Sequence, residues 1–184
     1  MRNVILFIAM SLDGYIADRQ GGVEWLYGED AKTEVPDTYG TFVRDIDTVI
    51  MGWNTYHQIV TELSPHDWIY KGMDCYVVTH REMEQKADIH FTDEPPCELV
   101  RRLKRSTGKG IWICGGADIV QQLLNEGLVD MFHISVIPVL LGGGIRLFNT
   151  LEMQARLQLV RTQHYNGIVE MVYKRKTSTE AIKS

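Results

Sequence analysis

Ile111-Trp112-Ile113-Cys114-Gly115-Gly116-Ala117-Asp118-Ile119-Val120-Gln121-Gln122-Leu123-Leu124 decides how this chain is organised. The run from Ile111 to Cys114 is short and apolar, which suits an interior strand. Ile119, Val120, Leu123 and Leu124 then recur at helical spacing, and Gly127 marks the helix end. A strand that passes through glycine straight into a helix leaves the first N–H groups of that helix without partners, a ready place for an anion. Glycine also lets a ligand approach the main chain and opens backbone angles closed to other residues. The same pair reads equally well as a tight βα turn packed close for its own sake.

Around this unit the bulk properties exclude several classes of function. The chain has 184 residues, a formal charge of −5, 45% apolar residues and 23% charged ones. That is the size of one domain, expected over 1–175, and an ordinary soluble composition. Lys174–Ser184 is polar with no apolar face, so 176–184 is expected to be a flexible tail. The acidic balance and the lack of a basic stripe argue against a nucleic-acid partner. Arg101, Arg102, Lys104 and Arg105 cluster on the outer face of a candidate helix, where solvation explains them. Cys75, Cys97 and Cys114 are far apart with no C-x-x-C, which suits a reducing compartment and no metal site. The apolar Val4–Met10 segment is far below membrane-spanning length and no secretory signal is read, so the expected location is the cytoplasm.

Working outward, Asn3–Ser11 is nearly all apolar, as for a strand covered on both faces. Asp13 and Gly14 follow it directly, where α/β sheets place ligands, although an Asp-Gly turn is common in itself. Asp18–Val35 is a long polar loop, expected to cover a site or to be mobile. Its Trp25 is either a loop anchor or an aromatic wall for a planar ligand. Pro36 opens a short helix with Asp37 in its first turn and Tyr39, Phe42, Val43 and Ile46 inward. Thr48–Gly52 is a second buried strand, with Asn54 or Thr55 capping the helix behind it. Cys75–Arg81 is a third strand, ending in Thr79, His80 and Arg81; a guanidinium there suits a phosphate, and a surface arginine is the plainer reading. Pro96–Ser106 is a helix. Val129–Leu141 is a further strand in which Pro138 suggests an edge, bulge or end. Asn166-Gly167 between Leu157–Tyr165 and Ile168–Lys174 is a strong hairpin signal. The order implies an α/β protein whose mixed, mostly parallel sheet ends in an antiparallel hairpin.

Ser11–Ala17, Met51–Tyr56, Val77–Arg81, Cys114–Gly116 and Pro138–Gly144, taken in this order, resemble the dihydrofolate reductase-like three-layer fold. The likeness is strongest to the reductase domain of the bifunctional riboflavin-biosynthesis deaminase/reductase. The resemblance implies an NADPH-dependent reductase acting on a small heterocycle. It places Ala9, Leu12, Gly14 and Ile16 beside the nicotinamide, and Gly52, Trp53, Asn54 and Thr55 at the pyrophosphate. Thr79, His80 and Arg81 would meet the 2′-phosphate, and Gly115, Gly116, Ala117, Asp118 and Ile119 the remaining phosphate and ribose. Trp25, Tyr56, Leu141 and Gly142 fall on the substrate side. Trp53 stands where members often carry Arg or Lys, which removes one charge from the phosphate side. The H-x-E and P-C-x-x-C of the deaminase half are absent.

Dihydrofolate reductases bind the pterin with a carboxylate on the helix after the long loop. Here that position falls on Asp37, with Glu34 a poorer match, and Asp13 is the other candidate for catalysis. A first-turn helix carboxylate explains Asp37 equally well. The rival from another class is a non-catalytic nucleotide-binding or regulatory protein that kept the fold. A Rossmann dehydrogenase is a poor match because no G-x-G-x-x-G follows the first strand. Val136–Leu141, with Pro138, is expected to be an exposed edge that pairs two copies into a homodimer.

Overall fold

A computed structural model describes residues 1–30, 32–33, 35–152 and 154–176. Apart from Lys176, the tail expected over 176–184 lies outside the described residues, as does Glu34. In chain order the elements are β1 (Val4–Ser11), β2 (Tyr15–Ala17), α1 (Thr38–Val43), β3 (Ile46–Gly52) and α2 (Trp53–Gln58), which runs on as a π turn over Ile59–Leu63. Then come β4 (Asp74–Val78), β5 (Ile89–Thr92), α3 (Pro96–Arg105), β6 (Gly110–Gly115) and α4 (Ala117–Asn125). The last are β7 (Met131–Ile137), β8 (Ile145–Arg146), β9 (Leu157–Tyr165) and β10 (Ile168–Arg175).

An 8-stranded sheet in the order β5-β4-β3-β6-β1-β7-β10-β9 carries the fold. The strands from β5 to β7 are mutually parallel, and β10 and β9 are antiparallel. Both faces of its middle are covered, which is why β1, β3 and β6 read as continuous apolar runs rather than alternating ones. On one face Leu6, Ile50 and Ile113 pack with Leu99 and Val100 of α3 and Val120 and Leu123 of α4. On the other, Ile5, Val49, Met51 and Trp112 pack with Phe42 of α1 and Tyr56 of α2. Each such side chain stabilises the fold by about 1.5–3 kcal/mol on burial.

The hairpin forms as its turn residues require: Asn166 (φ 48) and Gly167 (φ 74) both occupy the left-handed region, as a type I′ turn demands. Other expectations need correction. The helix expected to open at Pro36 begins at Thr38, because the Asp37 side chain accepts the Gly40 N–H at 2.7 Å and caps it there. Of its expected inner face only Phe42 is buried within the helix; Tyr39 is 42% exposed and Ile46 belongs to β3. Strand β5 and the small β2–β8 pair were not anticipated, since four, three and two residues are too short for a period to show.

The free edge expected at Val136–Leu141 does not exist. Val136 is flanked by Met10 on one side and Val169 on the other. Pro138 follows the end of β7 rather than exposing its flank. The edges of this sheet are β5 and β9.

Candidate active site

The carboxyl ends of β3, β4 and β6 open on a cleft of about 1160 Å³. Ligands of open α/β sheets bind at strand ends where the connections diverge. The same divergence occurs here, because the chain leaves β1 toward β3 and leaves β6 toward β7, on opposite sides of the β6–β1 pair.

Two strand–glycine–helix units meet at this cleft. Gly52 precedes α2 and Gly116 precedes α4, and neither helix start has a side-chain cap. Sequence reasoning expected Asn54 or Thr55 to cap α2. The cap position is Gly52 instead, and both residues line the cleft. Their leading N–H groups are thus left for an anion, unlike those of α1, which Asp37 occupies. Gly115 also sets the spacing of the units: a Cβ on it would stand 3.2 Å from Thr55 Oγ1, whereas one on Gly52 would meet Ile119 Cδ1 at an ordinary 3.5 Å. The Gly115–Gly116 peptide is cis.

Arg81 stands beside the cleft on Trp53, and Arg19 is the arginine of the cleft's own lining. Thr79 Oγ1 accepts the Arg81 N–H at 3.1 Å, which shapes the turn after β4. The Arg81 guanidinium lies over the Trp53 ring, 4.8 Å from its centroid. Such stacking is worth about 0.5–1 kcal/mol at an exposed site. Trp53 therefore removes a charge by its identity and restores one by holding Arg81 at the start of α2. These features fit a dinucleotide carrying an extra phosphate: anion-accepting helix starts, room along the strand ends, and a bidentate donor for the terminal phosphate.

Most residues expected at the cofactor do come together. Ala9, Ile16, Gly52, Trp53, Asn54 and Thr55 line the cleft, as do His80, Gly115, Gly116, Ala117, Asp118 and Ile119. Leu12, Thr79 and Arg81 are not among its lining residues, and Leu12 is 64% exposed. Gly14 instead forms a turn, with φ 87, whose carbonyl accepts the Leu147 N–H at 3.0 Å.

The residues expected on the substrate side are placed differently. Tyr56 is buried against Trp68 and Phe91, and its hydroxyl accepts from Lys86 Nζ at 3.0 Å. Helical spacing turns it away from the cleft that Trp53 and Thr55 line. Trp25 is an anchor, its indole N–H donating to the Gly22 carbonyl at 3.2 Å, while its neighbours Val23 and Leu26 border the cleft. Leu141 and Gly142 donate their backbone N–H groups to Asp13, at 3.1 and 2.7 Å.

Asp13 also accepts the Ser11 hydroxyl at 2.6 Å. That bond, together with the two backbone donors, holds its carboxyl below the usual carboxylate range. Asp13 is thus an anion that ties the Leu141–Gly142 main chain to the end of β1, which suits it poorly for proton donation. Asp37 is exposed and committed to its helix cap.

Some contributors were not foreseen. Tyr70 and Cys114 stand at the cleft with hydroxyl and thiol 3.2 Å apart. Burial pushes the Cys114 thiol up to about 11, so it stays protonated at neutral pH. The long loop is held by distant residues: Gln58 donates to the Gly21 carbonyl at 3.0 Å, and the Asn166 side chain exchanges hydrogen bonds with Asp30, each 2.8 Å. Glu170 was also missed. It sits at an inward position of β10, two residues from buried Val172, and a charge at such a position is a signal that alternation could have raised.

Residues 2–169 match the RibD C-terminal domain. The uncharacterized Bacillus subtilis protein YwjB is 37% identical over 177 residues, spanning 95% of this chain and 98% of that protein. Among solved structures, a Shewanella sp. PV-4 protein provisionally named for riboflavin biosynthesis is 28% identical, with a TM-score of 0.80 over 95% of this chain and 99% of that one. The Thermotoga maritima diaminohydroxyphosphoribosylaminopyrimidine deaminase/5-amino-6-(5-phosphoribosylamino)uracil reductase is 15% identical, with a TM-score of 0.68 over 95% of this chain and 57% of that one, a likeness of fold. The dihydrofolate reductase-like architecture expected from the sequence is the one observed.

Proposed function

The chain belongs to the RibD C-terminal domain family, and from that premise we propose that it is an NADPH-dependent reductase of a pterin-like or pyrimidine-like heterocycle. The observation that carries this reading is the cleft, where two uncapped, glycine-led helix starts meet and whose wall residue Trp53 carries the Arg81 guanidinium at its margin. NADPH bound there would supply the hydride. The N–H groups at the starts of α2 and α4 would hold its phosphates, and Arg81 the 2′-phosphate. Ala9 and Ile16 would border the nicotinamide, and the enclosed Tyr70–Cys114 pair would keep water from that end of the cleft. Asp13 acts through the backbone it ties down rather than as the proton donor.

Calorimetry with NADPH and NADH tests the reading. Wild-type protein is expected to bind NADPH, and Arg81→Ala to weaken that binding by about 10- to 100-fold, the worth of a charge-assisted hydrogen bond. NADH binding should be nearly unchanged by the substitution. No NADPH binding at near-millimolar cofactor would end the reductase proposal. Tight binding with no turnover of any heterocycle would leave the non-catalytic alternative.

The same proposal takes residues 1–175 as one domain working in the cytoplasm, in keeping with its free cysteines. No helix among the described residues is long and apolar enough to cross a membrane. With Val136 paired on both sides within the sheet, the proposed homodimer moves to edge strand β9, whose Leu159 (51%) and Val160 (54%) are exposed. A monomer mass by light scattering at micromolar concentration would remove it.

A further inference from the structure

A second hollow, of about 960 Å³, lies between α1 and the strands β1, β7, β10 and β9. Strand register joins it to the cofactor cleft. Ala9 of β1 lies beside Ser135 of β7, Ser135 beside Glu170 of β10, and Glu170 beside Gln163 of β9. Residues paired across strands share a face. Ala9 lines the cleft, while Ser135, Glu170 and Gln163 line the hollow. One row of side chains therefore runs from the expected nicotinamide position into the hollow.

Glu170 is the unusual member of that row. It is 7% exposed, and among the described residues it joins no ion pair. Its carboxylate accepts the Tyr165 hydroxyl at 2.6 Å, the Ser135 hydroxyl at 3.5 Å and the Gln163 amide. A carboxylate offers about four acceptor sites, so capacity remains for another donor. Burying such a group with only neutral partners is costly unless a further donor completes its shell. The neighbouring row supplies an imidazole and an aromatic floor. His133 has a buried Nε2 with no hydrogen-bond partner, and Phe7 stacks on Phe42 with ring centroids 4.2 Å apart. By contrast, Asp37 stands at the same hollow exposed and engaged in its helix cap.

We propose that Glu170, rather than Asp37, is the carboxylate that orients the substrate, and that the substrate is a planar nitrogen heterocycle presenting adjacent N–H donors, as an aminopyrimidine protonated on its ring nitrogen does. The assignment rests on the reductase reading, because it takes its meaning from the row that links Glu170 to the nicotinamide side of Ala9. A carboxylate on β10 reads the donor edge of the ring, and the stacked Phe7–Phe42 pair offers an aromatic surface for its face.

The test titrates NADPH-saturated protein with 2,4-diaminopyrimidine, and with uracil as the donor-poor comparison. Wild-type protein should bind the diamine more tightly than uracil. Glu170→Gln should weaken diamine binding by at least about 10-fold, with NADPH affinity unchanged and Asp37→Asn behaving as wild type. Should Glu170→Gln fail to fold, Gln163→Ala on the edge strand takes its place, with a several-fold loss expected. The proposal is overturned if wild type does not bind the diamine or does not prefer it to uracil. Loss confined to Asp37→Asn, or no loss in the Glu170 or Gln163 variant, overturns it too. Failure of NADPH itself to bind strikes the reductase reading instead, so the two failures are told apart by separate titrations.

Discussion

Gly52→Val is expected to fold normally and to lose most of its affinity for NADPH. Gly52 has φ −83 and ψ 166, angles open to any residue, so the backbone does not demand glycine. A Cβ there meets only Ile119 Cδ1, at 3.5 Å, an ordinary contact. Stability should therefore move by less than about 1 kcal/mol. The added methyls would stand where the end of β3 and the starts of α2 and α4 leave room for an anion. Each charge-assisted bond displaced is worth about 1.5–3 kcal/mol, or roughly 10- to 100-fold in affinity. Gly52→Ala should fall between wild type and valine. Thermal melts paired with NADPH titrations check this: a valine variant that binds NADPH as wild type does would move the phosphates away from this glycine.

Ile113→Ala is expected to produce the opposite pattern, a large loss of stability with the cleft's chemistry left in place. Ile113 lies in β6 between Leu6 of β1 and Ile50 of β3, and all three side chains are 0% exposed. The layer of α3 and α4 above them, with Leu99, Val100, Val120 and Leu123 also 0% exposed, leaves the backbone little scope to collapse into the void. Such truncations cost about 2–5 kcal/mol. For a chain of this length that lowers Tm by about 4–20 °C. Denaturant or thermal unfolding measures it. A change under about 1 kcal/mol would mean that the layer repacks.

Much of the cofactor side was legible because it is local. Val4–Ser11, Ile46–Gly52 and Gly110–Gly115 are apolar runs bounded by glycine or a polar residue, and each ends where the resemblance required a ligand. The helix starts after Gly52 and Gly116 follow from a few adjacent residues, as does the Asn166-Gly167 turn. Edge exposure was not legible, because whether Val136 is covered depends on β10, whose partner strand lies more than thirty residues away. The roles of the carboxylates were not legible for a similar reason. Asp13 is occupied by Leu141 and Gly142, and Asp37 by Gly40. Hydrogen-bond commitment is a property of neighbours in space, and only the local Ser11–Asp13 and Asp37–Gly40 pairs could have been seen in sequence.

Periodicity and turn chemistry by themselves determined the order of the longer strands and helices, the hairpin and the glycine-led helix starts, since these depend on backbone angles and on which face is apolar. The tertiary structure alone decided which side chains share a site. It set Arg81 over Trp53, tied Asp13 to the loop after β7, anchored the long loop to the hairpin, and aligned Ala9, Ser135, Glu170 and Gln163 in one row. The physical reason is the register of the sheet: one step of pairing decides which face a side chain meets, and that register is fixed by packing between strands far apart in the chain.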